Sequence, residues 1–449
     1  MDIAAERLHE ALDIRRRESD DAAELRATVL LGTALMHHYR VDEGIRLLEP
    51  AVDRWAPPGA ALDADRVALL AQYSRALFFN EENERSIAVA DRALPAAERL
   101  DALALVADLL ITRGTALGNV GRYHEGQGAK RAGIRLADEQ GLVSTSIRGR
   151  INLSANEQAD PTTAFAVTLE ALEAATKLGR HGHALTLLAN AASSAIEVGE
   201  WDWGLDRWMA EVDRPTDEHG RMMVRWNLAS LRTYRGDDVA DEVAELVTYA
   251  RVTGDKIFFV DGLLAEQAVS EGRLTEASDL LLIGARDDSL NGPDMIRQAG
   301  ILAVMGEDPE RARAAFDAFA ATGLHRRLWD LDWRLIAAGA AAQTAGTDAQ
   351  GPERSAFLET LDAYRDMGLP YRQVLGIVAF VATFGADDPA SAELMVEAEG
   401  IIGRLGAKPM QRQLDRLRAR RSTGAGRSTP AAAVMADPTA VLDRPATPA

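Results

Sequence analysis

The chain has 449 residues, with 47% hydrophobic and 5% aromatic residues and no cysteine. The missing cysteine excludes a disulfide framework, a thiolate metal site and a cysteine nucleophile. Fifty basic against 69 acidic residues leave a formal charge of −19, which argues against a nucleic-acid partner, because such binding draws its affinity from basic side chains on phosphates.

The N-terminus, MDIAAERLHEALDIRRRESDDAAEL, is charged from its second residue and lacks the apolar run of a signal peptide. No stretch reaches the roughly 18 to 20 apolar residues of a membrane span. The expectation is a cytoplasmic protein with no membrane association.

Helical stretches joined by short corners follow in chain order. The first corners fall near Tyr39 (YRVDEGIRLLEPAV) and Glu81 (EENERSIAVADRAL). The third lies in GNVGRYHEGQGAKRAG, residues 118–133, whose five glycines and lysine suggest a phosphate loop. Such a loop needs G-x-x-x-x-G-K-[ST], so that backbone N–H groups wrap phosphate while the lysine and hydroxyl reach phosphate and magnesium. Gly121 and Gly126 have the right separation, but Gln127 and Gly128 stand where lysine and a hydroxyl residue belong. The preceding ADLLITRGTAL has the three-and-four apolar spacing of a helix, not the β-branched run of a buried strand. These glycines therefore read as answering a packing and turning requirement, and no nucleotide cofactor is expected.

Further corners fall at Asp160, Gly199, Gly236, Gly272, Gly306, Gly346 and Gly385. The ten marks thus recur every roughly 34 to 42 residues, the range of helical-repeat periods. Two helices per unit at such a period are the sequence sign of an α-solenoid. One hairpin cannot bury its apolar stripe, whereas a stack of them buries a continuous core. The predicted fold is all-α: a right-handed α-solenoid of about ten helical hairpins over residues 1–420. Residues 421–449, rich in Pro, Ala, Ser and Thr, read as a disordered tail.

These units resemble tetratricopeptide repeats. Leu31-Gly32, Leu35, Gly44, Leu48 and Ala51 follow the family pattern in the first unit, and Leu188, Ala192, Gly199, Trp201, Gly204 and Trp208 in the fifth. Gly272, Leu274, Ala277 and Leu281 follow it in the seventh. Most periods exceed the family's usual length of about 34 residues, and the proline that ends the family repeat is usually missing. The closing stretch, MGLPYRQVLGIVAFVATFG and ASAELMVEAEGIIGRLGAKPMQRQLDRLRAR, is similar to the end of large bacterial regulators. In these an adenylate-cyclase or LuxR-type helix-turn-helix head and a P-loop ATPase precede a long repeat arm. The resemblance implies an arm without the head and ATPase.

The chemistry-bearing constellations are sparse. His37-His38 and the pair His181 and His183 lack a third ligand at fixed spacing, and adjacent helical residues point about 100° apart. No metal is expected. Asp287-Asp288 and Asp387-Asp388 sit at corners, where aspartate caps helices. Arginine and aromatic residues are the usual stock of peptide hot spots. In the repeat register the first helix of each unit lines the concave face, which places Arg26, Met36, His37, Arg75, Phe78, Phe79, Trp226 and Tyr234 towards the groove. The expected function is a non-enzymatic interaction scaffold or sensor arm in bacterial signal transduction or transcriptional regulation. Its partner would be a basic or amphipathic protein or peptide, with no cofactor. A peptide or small-ligand sensor using the groove is the alternative, and an enzyme with a groove site the third reading.

Overall fold

The computed structural model describes residues 3–37, 40–156, 160–214, 216, 218–254, 258–287, 291–345 and 351–423. Among these residues the chain forms 22 α-helices and no strand. After α1 (Ile3–Glu18) come α2 (Asp21–His37) with α3 (Val41–Trp55), α4 (Ala64–Phe79) with α5 (Asn83–Arg99), and α6 (Leu103–Asn119) with α7 (Tyr123–Glu139). Next are α8 (Val143–Asn156) with α9 (Pro161–Lys177), α10 (His181–Val198) with α11 (Trp201–Met209), and α12 (Glu218–Arg235) with α13 (Ala240–Thr253). Then follow α14 (Val260–Ser270) with α15 (Leu274–Asp287), and α16 (Gly292–Met305) with α17 (Pro309–Thr322). The last hairpins are α18 (Arg327–Ala345) with α19 (Pro352–Asp366) and α20 (Pro370–Phe384) with α21 (Ser391–Leu405), before a final helix, α22 (Lys408–Thr423).

The architecture is an all-α solenoid of ten hairpins flanked by one helix at each end. Eight of the ten expected corners lie between the helices of successive hairpins. Those at Tyr39 and Gly346, like the tail from residue 424, lie outside the described residues. Gly121 and Gly236 turn in the left-handed region, with φ of 83° and 74°. The eighth corner differs in detail, since Gly306 keeps φ near −83° and Glu307 takes the left-handed step at 58°. Asp160 ends its corner by capping α9, its carboxylate accepting from the Thr163 N–H at 3.2 Å.

Even-numbered helices pack on their even-numbered neighbours along most of the stack, whereas extensive odd-to-odd contacts do not occur among the described residues. The even helices therefore form the inner curve. The glycine-rich stretch at residues 118–133 is one of the tightest joints. A Cβ on Gly114 of α6 would lie 2.7 Å from the Gly126 carbonyl oxygen on α7, and one on Gly126 would lie 2.5 Å from the Gly114 oxygen. The two backbones touch, which only glycine permits. Lys130 is buried, 1% exposed, and its ammonium donates to the Asn152 carbonyl at 3.3 Å.

The solenoid winds back on itself. Arg326, before α18, lies over the Tyr123 ring at 5.0 Å, and Leu324 comes within 3.2 Å of where a Gly121 Cβ would be. Thr162 on α9 donates to the Met367 carbonyl at 3.1 Å. Helix α20 packs on α10 and α16, and α22 packs on α12 and α14. The later helices thus fill the inner side of the middle repeats. No helix among the described residues is long and apolar enough to cross a membrane.

Candidate functional site

The expected groove residues fall into three environments. Arg26 is exposed on α2 and pairs with Asp65 of α4 at 3.1 Å. On α4, Phe78 and Phe79 are half-buried with ring centres 5.3 Å apart, and the largely buried Arg75 guanidinium lies 5.7 Å from the Phe79 ring. Burial lowers the pKa of His183 on α10, and the positive charges of Arg180 and Arg75 lower it further.

Three of the expected groove residues require correction. Arg75, 9% exposed, is buried on α4 rather than open to a groove. Met36, 1% exposed, packs inward against Gly44, where a Cβ would collide with its methyl group. Trp226, 8% exposed, packs in the core with the Phe258 ring at 5.1 Å. All three sit on inner helices, but a one-residue rotation turns about 100° of helix surface, enough to move a side chain from groove to core. The side chain of His37 lies outside the described residues.

Tyr234, the last of the set, reaches a partly open cavity that spacing alone does not reveal. Where α10, α12, α14 and α16 meet α20 and the start of α22, a cavity of ≈ 60 Å³ remains. It is lined by the polar Glu197, Tyr234, Glu266, Gln298, Tyr371 and Arg372 and by aliphatic side chains such as Val269, Leu302 and Leu375. The rings of Trp201, Tyr234 and Tyr371 meet edge to face with centres 5.3 to 5.8 Å apart. Trp201 is fixed by its indole N–H donating to the Ile196 carbonyl at 2.9 Å.

A buried charge network ties this cavity into the fold. The Arg372 guanidinium donates two bonds to Glu197, at 2.8 and 2.6 Å, across 175 residues of sequence. It also reaches Asp332 of α18 at 3.3 Å, where Arg297 and the Tyr364 hydroxyl converge on the same carboxylate. Arg297 donates to Asp294 at 2.7 Å. Asp332 is fully buried, so both guanidiniums depend on it for compensation.

Glu266 stands beside this network with no such cation. Burial pushes its carboxyl up to about 7, partly offset by the Ser230 and Tyr234 hydroxyls, and its Oε2 is buried without a hydrogen-bond partner. Burial also holds Tyr371 above the ordinary phenol value, as does the negative charge of Glu197 and Glu266. One signal for this site is legible in the sequence. The segment PYRQVLGIVAFVATF is apolar all round, so it must be buried, and an arginine inside it must find an anion. Which anion depends on a contact far away along the chain, at Glu197 of α10.

The chain matches no family model and no curated protein. It is similar to the apo form of the quorum sensor NprR from B. thuringiensis, at 13% identity over 87% of this chain and 99% of that one, with a TM-score of 0.36. It is also similar to the TPR domain of P58(IPK), at 13% identity over 90% of this chain and 100% of that one, with a TM-score of 0.21. At these values the likenesses carry no argument about function.

Proposed function

We propose that the chain is a non-enzymatic interaction arm, one continuous repeat domain over residues 1–420, that binds a protein or peptide partner in bacterial signalling or transcriptional regulation in the cytoplasm. The observation that carries this reading is an exposed arginine and two half-buried aromatic rings on the inner helices α2 and α4. There Arg26 is exposed, Phe78 and Phe79 are half-buried, and the buried Arg75 lies against Phe79. The C-terminal helices dock instead on α10, α12, α14 and α16. Aromatic and arginine side chains on a concave face suit a peptide's apolar anchors and backbone carbonyls. The net charge of −19 favours a basic or amphipathic helix and disfavours duplex DNA.

Selection from a displayed peptide library against the whole chain tests the reading. Enrichment of basic amphipathic sequences is expected, with binding weakened about tenfold or more by Phe79→Ala, a loss of the hot-spot kind. Enrichment of no sequence, or equal binding by Phe79→Ala, Phe78→Ala and the parent chain, would sink it. A second reading, a small-ligand sensor, is favoured by the cavity at Glu266.

A further inference from the structure

We infer that the cavity between the middle repeats and α20 is a binding site for a small organic monocation, an alkylammonium whose charged end meets Glu266 and whose alkyl end meets the aliphatic lining. The inference deepens the sensor reading and is independent of the partner proposed for α2 and α4.

The charge count supports it. Asp294, Asp332 and Glu197 set three carboxylates against the two guanidiniums of Arg297 and Arg372. Ionised Glu266 adds a fourth. Each guanidinium is already engaged by those three carboxylates, whereas Glu266 Oε2 has no partner. A buried carboxylate without a counter-charge either takes a proton or waits for a cation.

The groups facing Glu266 fit an ammonium. Ser230 and Tyr234 of α12 offer hydroxyls, Gln298 of α16 an amide, and Tyr371 of α20 a further phenol. Glu197 of α10 adds negative potential, and Arg372 beside it is neutralised by its two bonds to that carboxylate. On the α22 side, Arg412 donates to the carbonyl of Ser270, a residue of the cavity lining, at 2.6 Å. Ala265, Val269, Leu302 and Leu375 supply apolar parts of the lining.

Size narrows the class. Roughly 10 to 15 Å³ of such volume holds one water, so ≈ 60 Å³ accommodates about four to six non-hydrogen atoms. That is a short primary amine, too small for a peptide. A second cavity of ≈ 460 Å³ shares Thr233 and Ser270 with it and is lined by Asp237, Asp238 and Glu271 with Arg412 and Arg416 of α22.

The test uses the whole chain and three probes of one size: n-butylammonium, n-butanol and butyrate. Calorimetric titration at pH 8 should detect n-butylammonium alone. Its affinity should fall about tenfold per pH unit below 7, because the proton and the cation compete for Glu266. Glu266→Gln, nearly the same shape, should lose at least about tenfold, as an ion-paired site that loses its charge does. Val269→Phe, which adds bulk to the apolar lining with Glu266 intact, should lose binding too. No binding of n-butylammonium, or equal binding by the parent and Glu266→Gln, overturns the inference. Preference for n-butanol over n-butylammonium also overturns it, while leaving a sensor for neutral ligands standing. Hydrogen exchange separates the two readings further: binding without added protection in α20 and α22 would uphold the cation site and remove the sensor reading.

Discussion

The repeats from α2 to α5 and those after α10 use the same hairpin but are held in different ways. One core cluster gathers residues from Ala5 to Leu109, all close neighbours in sequence. Another joins Trp201 on α11 to residues running from Ala265 as far as Leu414. The first region is held by each hairpin on the next, as in an ideal solenoid. The second adds contacts between successive turns, and these include the buried Arg372, Asp332 and Glu197 network. A pure nearest-neighbour stack should fray locally, whereas a stack that also clasps itself should lose several hairpins together.

The largest effect is expected from Asp332→Ala. It strands Arg297 and Arg372 without their shared carboxylate, a loss of the kind that costs about 3 to 5 kcal/mol. Denaturant unfolding should show the loss, and hydrogen exchange should place it in α10, α16, α18 and α20 together while α2 to α5 keep their protection. Uniform loss along the chain would erase the distinction between the regions.

Glu266 gives the next effect, through pH. Its folded pKa, about 7, stands above the ordinary carboxyl value of 4.5. The folded state therefore holds a proton that the unfolded state has released. The contribution is fully present below pH 4.5 and is lost as pH rises from there through about 7, on the order of 3 kcal/mol across that window. Glu266→Gln should remove this slope and raise stability at pH 8. An unchanged slope in the variant would show that Glu266 is not the group responsible.

Two glycine substitutions sharpen the contrast at a smaller scale. Gly114→Ala forces the α6 and α7 backbones apart and should cost about 1 to 3 kcal/mol, confined to the third hairpin and its neighbours. Gly236→Ala combines a left-handed φ of 74° with a Cβ placed 2.8 Å from Pro409 Cδ. The backbone strain alone is about 1 to 2 kcal/mol, and protection should fall in α22 as well as in α12 and α13. If α22 is undisturbed, the clasp does not depend on that corner. The smallest effect belongs to Arg26→Ala, because the exposed pair with Asp65 contributes about 0 to 1 kcal/mol. Thermal melts should barely move, leaving Arg26 free to be tested for partner binding alone.

Much of this was open to a reader of the sequence because it is local. Apolar residues at three-and-four spacing specify helices, and glycine or a capping aspartate at Gly121, Gly236 and Asp160 specifies where they turn. Ten corners at a near-regular period were enough to define the hairpins and their number. The backbone contact of Gly114 with Gly126 likewise follows from small residues facing each other across one hairpin. What the sequence did not determine is which inner faces remain open. That depends on the pitch of the superhelix, which accumulates from small rotations at every joint and is written in no single motif. The pitch brings α20 onto α10 and α22 onto α12 and α14. It therefore decides that Arg372 meets Glu197, that Trp226 is core, and that Glu266 lines a cavity beside two guanidiniums already taken by other carboxylates.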